Sequence, residues 1–184
     1  MLKNFYTIYK SIIPPVLCDY IIKTTPWSKH YKAELSDDNK EMFVDTTRRK
    51  TDVVFLSSLS LIGCIAQSYI RAANTSAEWN FDIMGIEDVQ VGRYLDGGHY
   101  DWHIDTFVPN EDNLQRKLTG IVFLSDPKDY EGGEFELKAG WDLPKKMPQG
   151  TLLVFPSVLE HRVTAVKSGE RYTASCWAYG PAFK

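Results

Sequence analysis

From Glu87 onward the chain is broken into short runs of strand length separated by Gly, Pro and Asp clusters, and this rhythm restricts the folds open to it. The runs are Val89 to Tyr94, Tyr100 to Thr106, Leu118 to Leu124, Gly133 to Leu137, Thr151 to Phe155, His161 to Val166 and Arg171 to Ala178. Many short strands joined by turn chemistry predict a mainly β fold, a barrel or a double-sheet jelly roll. Ahead of them, residues 3 to 9 alternate as a short strand, and Asp52 to Leu56 reads as another. Pro14-Pro15 suits a helix start, and Val16, Leu17, Tyr20 and Ile21 extend it to about Lys23. Leu59, Ile62, Ala66, Tyr69 and Ile70 keep three- and four-residue spacing, which predicts a second helix. Both helices are expected on the outside of the sheets.

The 184 residues fit one domain, with residues 1–86 as helical and strand support and residues 87–181 as the core of the site. A net charge of -3 argues against a nucleic-acid surface. Cys18, Cys64 and Cys176 are widely spaced and read as reduced thiols, and no apolar run has the length of a membrane span. The expectation is a soluble cytoplasmic protein with no membrane partner. Residues 36–52 are polar and end in Arg48-Arg49-Lys50, which reads as a solvated loop or as a lid over a site. Asp126 to Gly133 reads as a plain connection.

Within the strand pattern, His103 and Asp105 are two residues apart, so in an extended strand they share a face while Ile104 points away. His161 would complete a set of two histidines and one carboxylate, which holds non-haem Fe(II) on one side and leaves other positions open. Two further histidines are poor candidates. His99 stands four residues before His103, about 13 Å in an extended strand, and His30 lies in a polar stretch. Arg171, ten residues beyond His161, opens an alternating run in which Arg171, Thr173, Ser175 and Trp177 share a face. An arginine on a pocket face is costly unless an anion meets it.

The two stretches resemble the Fe(II)- and 2-oxoglutarate-dependent dioxygenases, most closely the prolyl 4-hydroxylase-like branch. The resemblance is carried by Tyr94, Gly97, Tyr100, His103 and Asp105. It continues through Gly150 to Ser157, His161-Arg162-Val163, Gly169-Glu170-Arg171-Tyr172 and Trp177. It implies a double-stranded β-helix (jelly-roll) fold, Fe(II) held by His103, Asp105 and His161, and 2-oxoglutarate as co-substrate, with ascorbate as an accessory. Arg171 would pair with the distal carboxylate of the co-substrate, helped by Thr173 and Tyr94, where prolyl hydroxylases commonly carry a lysine at the arginine position. The implied reaction couples oxidative decarboxylation of 2-oxoglutarate to succinate with hydroxylation of a substrate C–H bond, first of a prolyl residue in a peptide or protein, with a free amino acid or other small molecule as the alternative and a non-catalytic jelly-roll binding module as the more remote one. Thr173 stands where the nucleic-acid dealkylases of the wider family carry asparagine, which argues against that activity.

Tyr100 and Trp177 match positions on the substrate side and are expected to form an aromatic clamp. Tyr100 is an odd number of residues from His103, so a bend after Gly97-Gly98 would be needed to bring it round. Trp177 has the parity of Arg171 and is expected about 20 Å along the strand, toward the mouth.

Overall fold

A computed structural model describes residues 4–36, 42–139 and 143–183. Its largest sheet runs, in spatial order, through Thr7–Tyr9, Leu152–Pro156, Leu114–Phe123, Arg171–Pro181, Val89–Tyr94, Asp52–Leu56 and Tyr31–Lys32, with Gly85–Ile86 added beside Arg171–Pro181. A second sheet pairs Phe135–Leu137, His161–Val163, His99–His103 and Arg49–Lys50. All neighbours in both sheets are antiparallel. The fold is the expected mainly β jelly roll.

The strands of the large sheet read as continuous apolar runs because both their faces are covered. Leu152, Val154, Leu118, Val122, Val89, Val91, Ala174 and Cys176 point outward into a core shared with the helices. Leu153, Phe155, Ile121, Phe123 and Tyr94 point inward and meet Phe135 and Val163 of the small sheet. Helix α1 spans Pro15–Thr24, with proline in its first turn where a missing N–H leaves no bond unmade. Helix α2 spans Leu61–Ser76, capped by Ser60, whose side chain accepts from the Gly63 N–H. It buries Ile62, Ala66, Ile70 and Ala73 against the strands containing Leu118, Leu152 and Ala174. A Cβ at Gly120 would lie 2.7 Å from Ile70 Cδ1, so glycine there lets α2 settle on the sheet. Leu59, counted into the helical periodicity, precedes the cap and is exposed.

Several boundaries differ from the sequence expectation. The segment expected as one strand, His161 to Val166, is two: His161–Val163 in the small sheet, and Val166–Gly169 paired with Tyr130–Gly132. The Asp126 to Gly133 connection therefore contains a strand of its own. Asp105 does not continue the strand of His103, which ends at His103 itself. Of the polar stretch 36–52, residues 37–41 lie outside the described residues. The rest is held in place. Leu35–Ser36 pairs with Met42–Phe43, and Arg49–Lys50 pairs with His99 and Tyr100. Lys50 Nζ donates to the Asp96 carbonyl at 2.8 Å, and Asp101 N–H donates to the Arg48 carbonyl at 2.8 Å. Among the described residues no helix is long and apolar enough to cross a membrane.

Candidate metal and co-substrate site

His103, Asp105 and His161 meet between the two sheets, with one ligand atom from each lying within 4.8 Å of the others. His161 pairs directly across from His103 in the small sheet, which sets the two imidazoles side by side. Asp105 is brought in by the loop after the strand: its N–H and that of Thr106 both donate to the Ser157 carbonyl, at 2.9 and 3.1 Å. The Nδ1 atoms of both histidines are occupied by backbone carbonyls, Asp101 at 2.7 Å for His103 and Leu159 at 3.0 Å for His161. A neutral imidazole that donates through Nδ1 must present a lone pair at Nε2. Those Nε2 atoms face the carboxylate, 3.6 Å from Oδ1 for His103 and 3.4 Å from Oδ2 for His161.

Electrostatics favour the protonation states a metal needs. Burial, followed by the neighbouring His161, pushes the His103 imidazole down to about 3, so its nitrogen stays unprotonated. Burial alone would push the Asp105 carboxyl up, but His161 and His103 together pull it well below the usual carboxylate range. Asp105 Oδ2 also accepts from Thr119 Oγ1 at 2.8 Å and from the Trp177 indole N–H at 3.0 Å. Thr119 is in turn 3.0 Å from the Ser157 hydroxyl. Oδ2 is thus held, and Oδ1 is left to serve a cation.

Trp177 is therefore not at an open mouth. It shares the inner face with Arg171 as its parity required, but it is 6% exposed and lies against Asp105. The Arg116 guanidinium covers its ring at 3.9 Å and is fixed by a bidentate pair with Glu87, at 2.7 and 2.5 Å. Arg116 and Thr119, which support the carboxylate, carry no motif that singles them out in sequence. The alternation of the 118–124 run does place Thr119 on the inner face.

Tyr100 does come round to the metal side, through an irregularity further along the strand than expected. His103 pairs with His161 but Tyr100 pairs with Val163, so two residues on one strand, Asp101 and Trp102, oppose one on the other, Arg162. This bulge reverses the odd parity, and the Tyr100 ring stacks on His103 at 3.4 Å and 13°. The Arg49 guanidinium lies over the same ring at 4.4 Å. The ring is already engaged by both an imidazole and a guanidinium, which is not the free stacking surface expected of a clamp. Burial pushes the Tyr100 hydroxyl up to about 12, which leaves it a neutral donor.

Arg171 is 1% exposed, and its Nε and Nη1 find no hydrogen-bond partner among the described residues. Its guanidinium lies 4.9 Å from the Tyr94 ring and 5.7 Å from the Phe123 ring. Tyr94 is its cross-strand neighbour, and the buried Thr173 follows on the same face opposite Gly92. Gly133, at φ +59, closes this end of the site, since a Cβ there would lie 2.8 Å from Arg171 Cδ. Two buried donors left open on a permanent cation are what a carboxylate would satisfy. The donor set of two imidazoles and a carboxylate fits Fe(II), and the orphaned arginine fits an anionic co-substrate.

A jelly roll with this donor set between its sheets could hold one metal ion and, at Arg171, an anion. Residues 89–179 match the 2OG-Fe(II) oxygenase superfamily. A PKHD-type hydroxylase of Pseudomonas fluorescens is 36% identical over 92 residues, a match covering 47% of this chain and 41% of that protein. The fold resembles a viral collagen prolyl hydroxylase of Paramecium Bursaria Chlorella virus-1 in complex with 2OG. The TM-score is 0.74, with 22% identity and 97% of each chain covered. It also resembles a Pseudomonas putida prolyl-4-hydroxylase, with TM-score 0.72, 16% identity and 99% and 95% of the two chains covered. Residues 89–179 thus place this chain in the 2OG-Fe(II) oxygenase superfamily, and it spans less than half the length of the curated relatives it matches.

Proposed function

We propose that this chain is an Fe(II)- and 2-oxoglutarate-dependent dioxygenase that hydroxylates a C–H bond of a prolyl residue in a peptide or protein. Succinate and carbon dioxide would be the co-products. The observation that carries the reading is the buried, unpaired Arg171 on the inner face of the large sheet, linked to the His103, Asp105 and His161 cluster through the Phe123 and Phe135 rings. A metal-binding jelly roll without a co-substrate has no use for such a cation. Prolyl hydroxylases among the similar folds support the substrate class.

The iron and 2-oxoglutarate, when bound, supply the activation of oxygen. His103, Asp105 and His161 would hold the metal. Their second contacts, to Asp101, Leu159, Thr119 and Trp177, fix tautomer and orientation. Arg171 would take the distal carboxylate, with the Thr173 hydroxyl on its own strand and the Tyr94 phenol on the adjoining one. The Tyr100 hydroxyl, not its ring, is the group offered to the substrate, and Trp177 acts through Asp105. Burial of the whole cluster between the sheets excludes water from the reacting groups.

Mass spectrometry of proline-containing peptides incubated with the protein, Fe(II), 2-oxoglutarate and oxygen tests this. The expected result is the gain of one oxygen on proline, abolished by His103→Ala and by His161→Ala together with metal binding. Oxidation of free amino acids with all peptides untouched would replace the peptide reading by a small-molecule one. Omission of ascorbate should slow turnover without abolishing it.

A further inference from the structure

Arg171 is not the only buried cation left open at this site. Arg49 is 9% exposed, its Nη2 donates to Gln90 Oε1 at 3.1 Å, and its Nε has no partner among the described residues. No described carboxylate forms an ion pair with it. We propose that Arg49 reads a carboxylate carried by the substrate, so that this site selects an acidic substrate. The inference rests on the dioxygenase reading above.

The arrangement is built rather than incidental. Arg49 is placed by strand pairing opposite Tyr100, and its guanidinium lies on the ring that stacks against the metal ligand His103. Gln90, also buried, holds one end of it from the inner face of the large sheet. The Tyr100 face offsets part of the desolvation of the guanidinium, but a π face accepts no directed hydrogen bond in the plane of the fork. Charge counting gives the same answer. The formal charges of a divalent iron, the Asp105 carboxylate, the 2-oxoglutarate dianion and Arg171 cancel, and Arg116 is neutralised by Glu87. Arg49 is the charge left over.

The carboxylate at Arg49 is a second one, since the backbone positions that hold the two arginines lie apart along the sheet. Gln90 pairs with Ser175 and Tyr94 pairs with Arg171, four residues along the same two strands, which is about 13 Å. The two arginines thus serve opposite ends of the inner face, one for the co-substrate and one for what it oxidises. The carboxylate could belong to an aspartate or glutamate beside the prolyl residue, or be the α-carboxylate of a terminal or free proline. The chemistry at Arg49 is the same.

The test uses the full chain, labelled with ¹⁵N-arginine, carrying Zn(II) in place of iron and saturated with 2-oxoglutarate. The Arg49 Nε–H resonance is assigned by its loss in Arg49→Lys. The probes are N-acetylproline against its amide, and an acetylated Pro-Glu amide against its Pro-Gln counterpart. Binding of an acid should move the resonance saturably while its neutral partner does not, and the acid that does so identifies the source. Calorimetry should show acid affinity reduced at least tenfold in Arg49→Lys, with 2-oxoglutarate affinity unchanged. Equal responses to acid and neutral probes, or no response to either acid, overturn the proposal and leave the dioxygenase reading standing. Failure of the Zn(II) protein to bind 2-oxoglutarate removes both.

Discussion

Replacing Arg171 by methionine should make the ligand-free protein more stable while disabling it. The side chain is 1% exposed and leaves Nε and Nη1 without partners. Each unsatisfied buried donor costs about 1–3 kcal/mol, so the two together cost roughly 2–6 kcal/mol. The Tyr94 face at 4.9 Å returns about 1–2 kcal/mol as a desolvated cation–π contact. The balance, about 0–5 kcal/mol, brackets what replacing buried ionic groups by apolar ones of similar volume gains elsewhere, about 1–4 kcal/mol. For a chain of this size each kcal/mol moves Tm by about 2–4 °C, so a gain of roughly 2 kcal/mol raises Tm by about 4–8 °C. Calorimetry on protein freed of 2-oxoglutarate measures this directly. The same substitution removes a buried charge-assisted pair with the co-substrate, a loss of about 2–5 kcal/mol, or roughly thirty- to several-thousandfold in 2-oxoglutarate affinity. Added 2-oxoglutarate should therefore raise the Tm of the parent and not of the variant. A less stable ligand-free variant, or one that binds 2-oxoglutarate as the parent does, would refute the view of Arg171 as a cation stored for a ligand.

Trp177→Phe keeps most of the ring under Arg116 but removes the N–H that holds Asp105 Oδ2, and should weaken metal binding about 10- to 100-fold by titration calorimetry. Unchanged affinity would reduce Trp177 to packing. Gly133→Ala combines a residue at φ +59 with a Cβ 2.8 Å from Arg171 Cδ, so it should destabilise by more than about 1 kcal/mol in denaturant and weaken 2-oxoglutarate binding. In metal-free protein the neutral His103, held at about 3, makes the unfolded chain bind the extra proton first. Stability should be full above the ordinary histidine pKa of about 6.5 and decline as pH falls from there toward 3. Denaturant melts of the parent and His103→Gln across that window check the slope, which the variant should flatten.

Residue spacing carried the site further than it carried the elements. His103, Asp105, His161 and Arg171 could be read from spacing and resemblance because side-chain parity and chain order are local properties; the structure brings the first three within reach of one another and leaves Arg171 buried and unpaired on the inner face. Val89–Tyr94 and Asp52–Leu56 match their expected bounds, since both are apolar runs with turn residues on each side. Parity gives a face and not a depth, which is why Trp177 faces inward as read yet lies under the carboxylate instead of at the mouth. Parity also fails at a bulge. Tyr100 reaches His103 because one extra residue is absorbed between the two, and nothing in Tyr100-Asp101-Trp102-His103 marks that insertion. The break at Thr164-Ala165 was hidden in the same way: the Thr164 N–H is taken by the Glu134 carbonyl and the Ala165 carbonyl accepts from Gly133, both long-range contacts.

The division of labour between the two faces of the large sheet explains how a domain of this size can keep open cations inside. Along the same strands, Val89, Val91, Leu118, Val122, Ala174 and Cys176 face the helices, while Gln90, Thr119, Arg171 and Thr173 face the cleft. The outward set packs with Ile62, Ala66 and Ile70 of α2 and is free of charged groups, so it can carry the stability that the inward set lacks. Alternation lets a single strand do both, because a change on one face leaves the other in register. Substitutions that fill or neutralise the cleft are therefore expected to stabilise, and those that loosen the contact of α2 with Gly120 to unfold, with the inner residues still correctly aligned in whatever fraction remains folded.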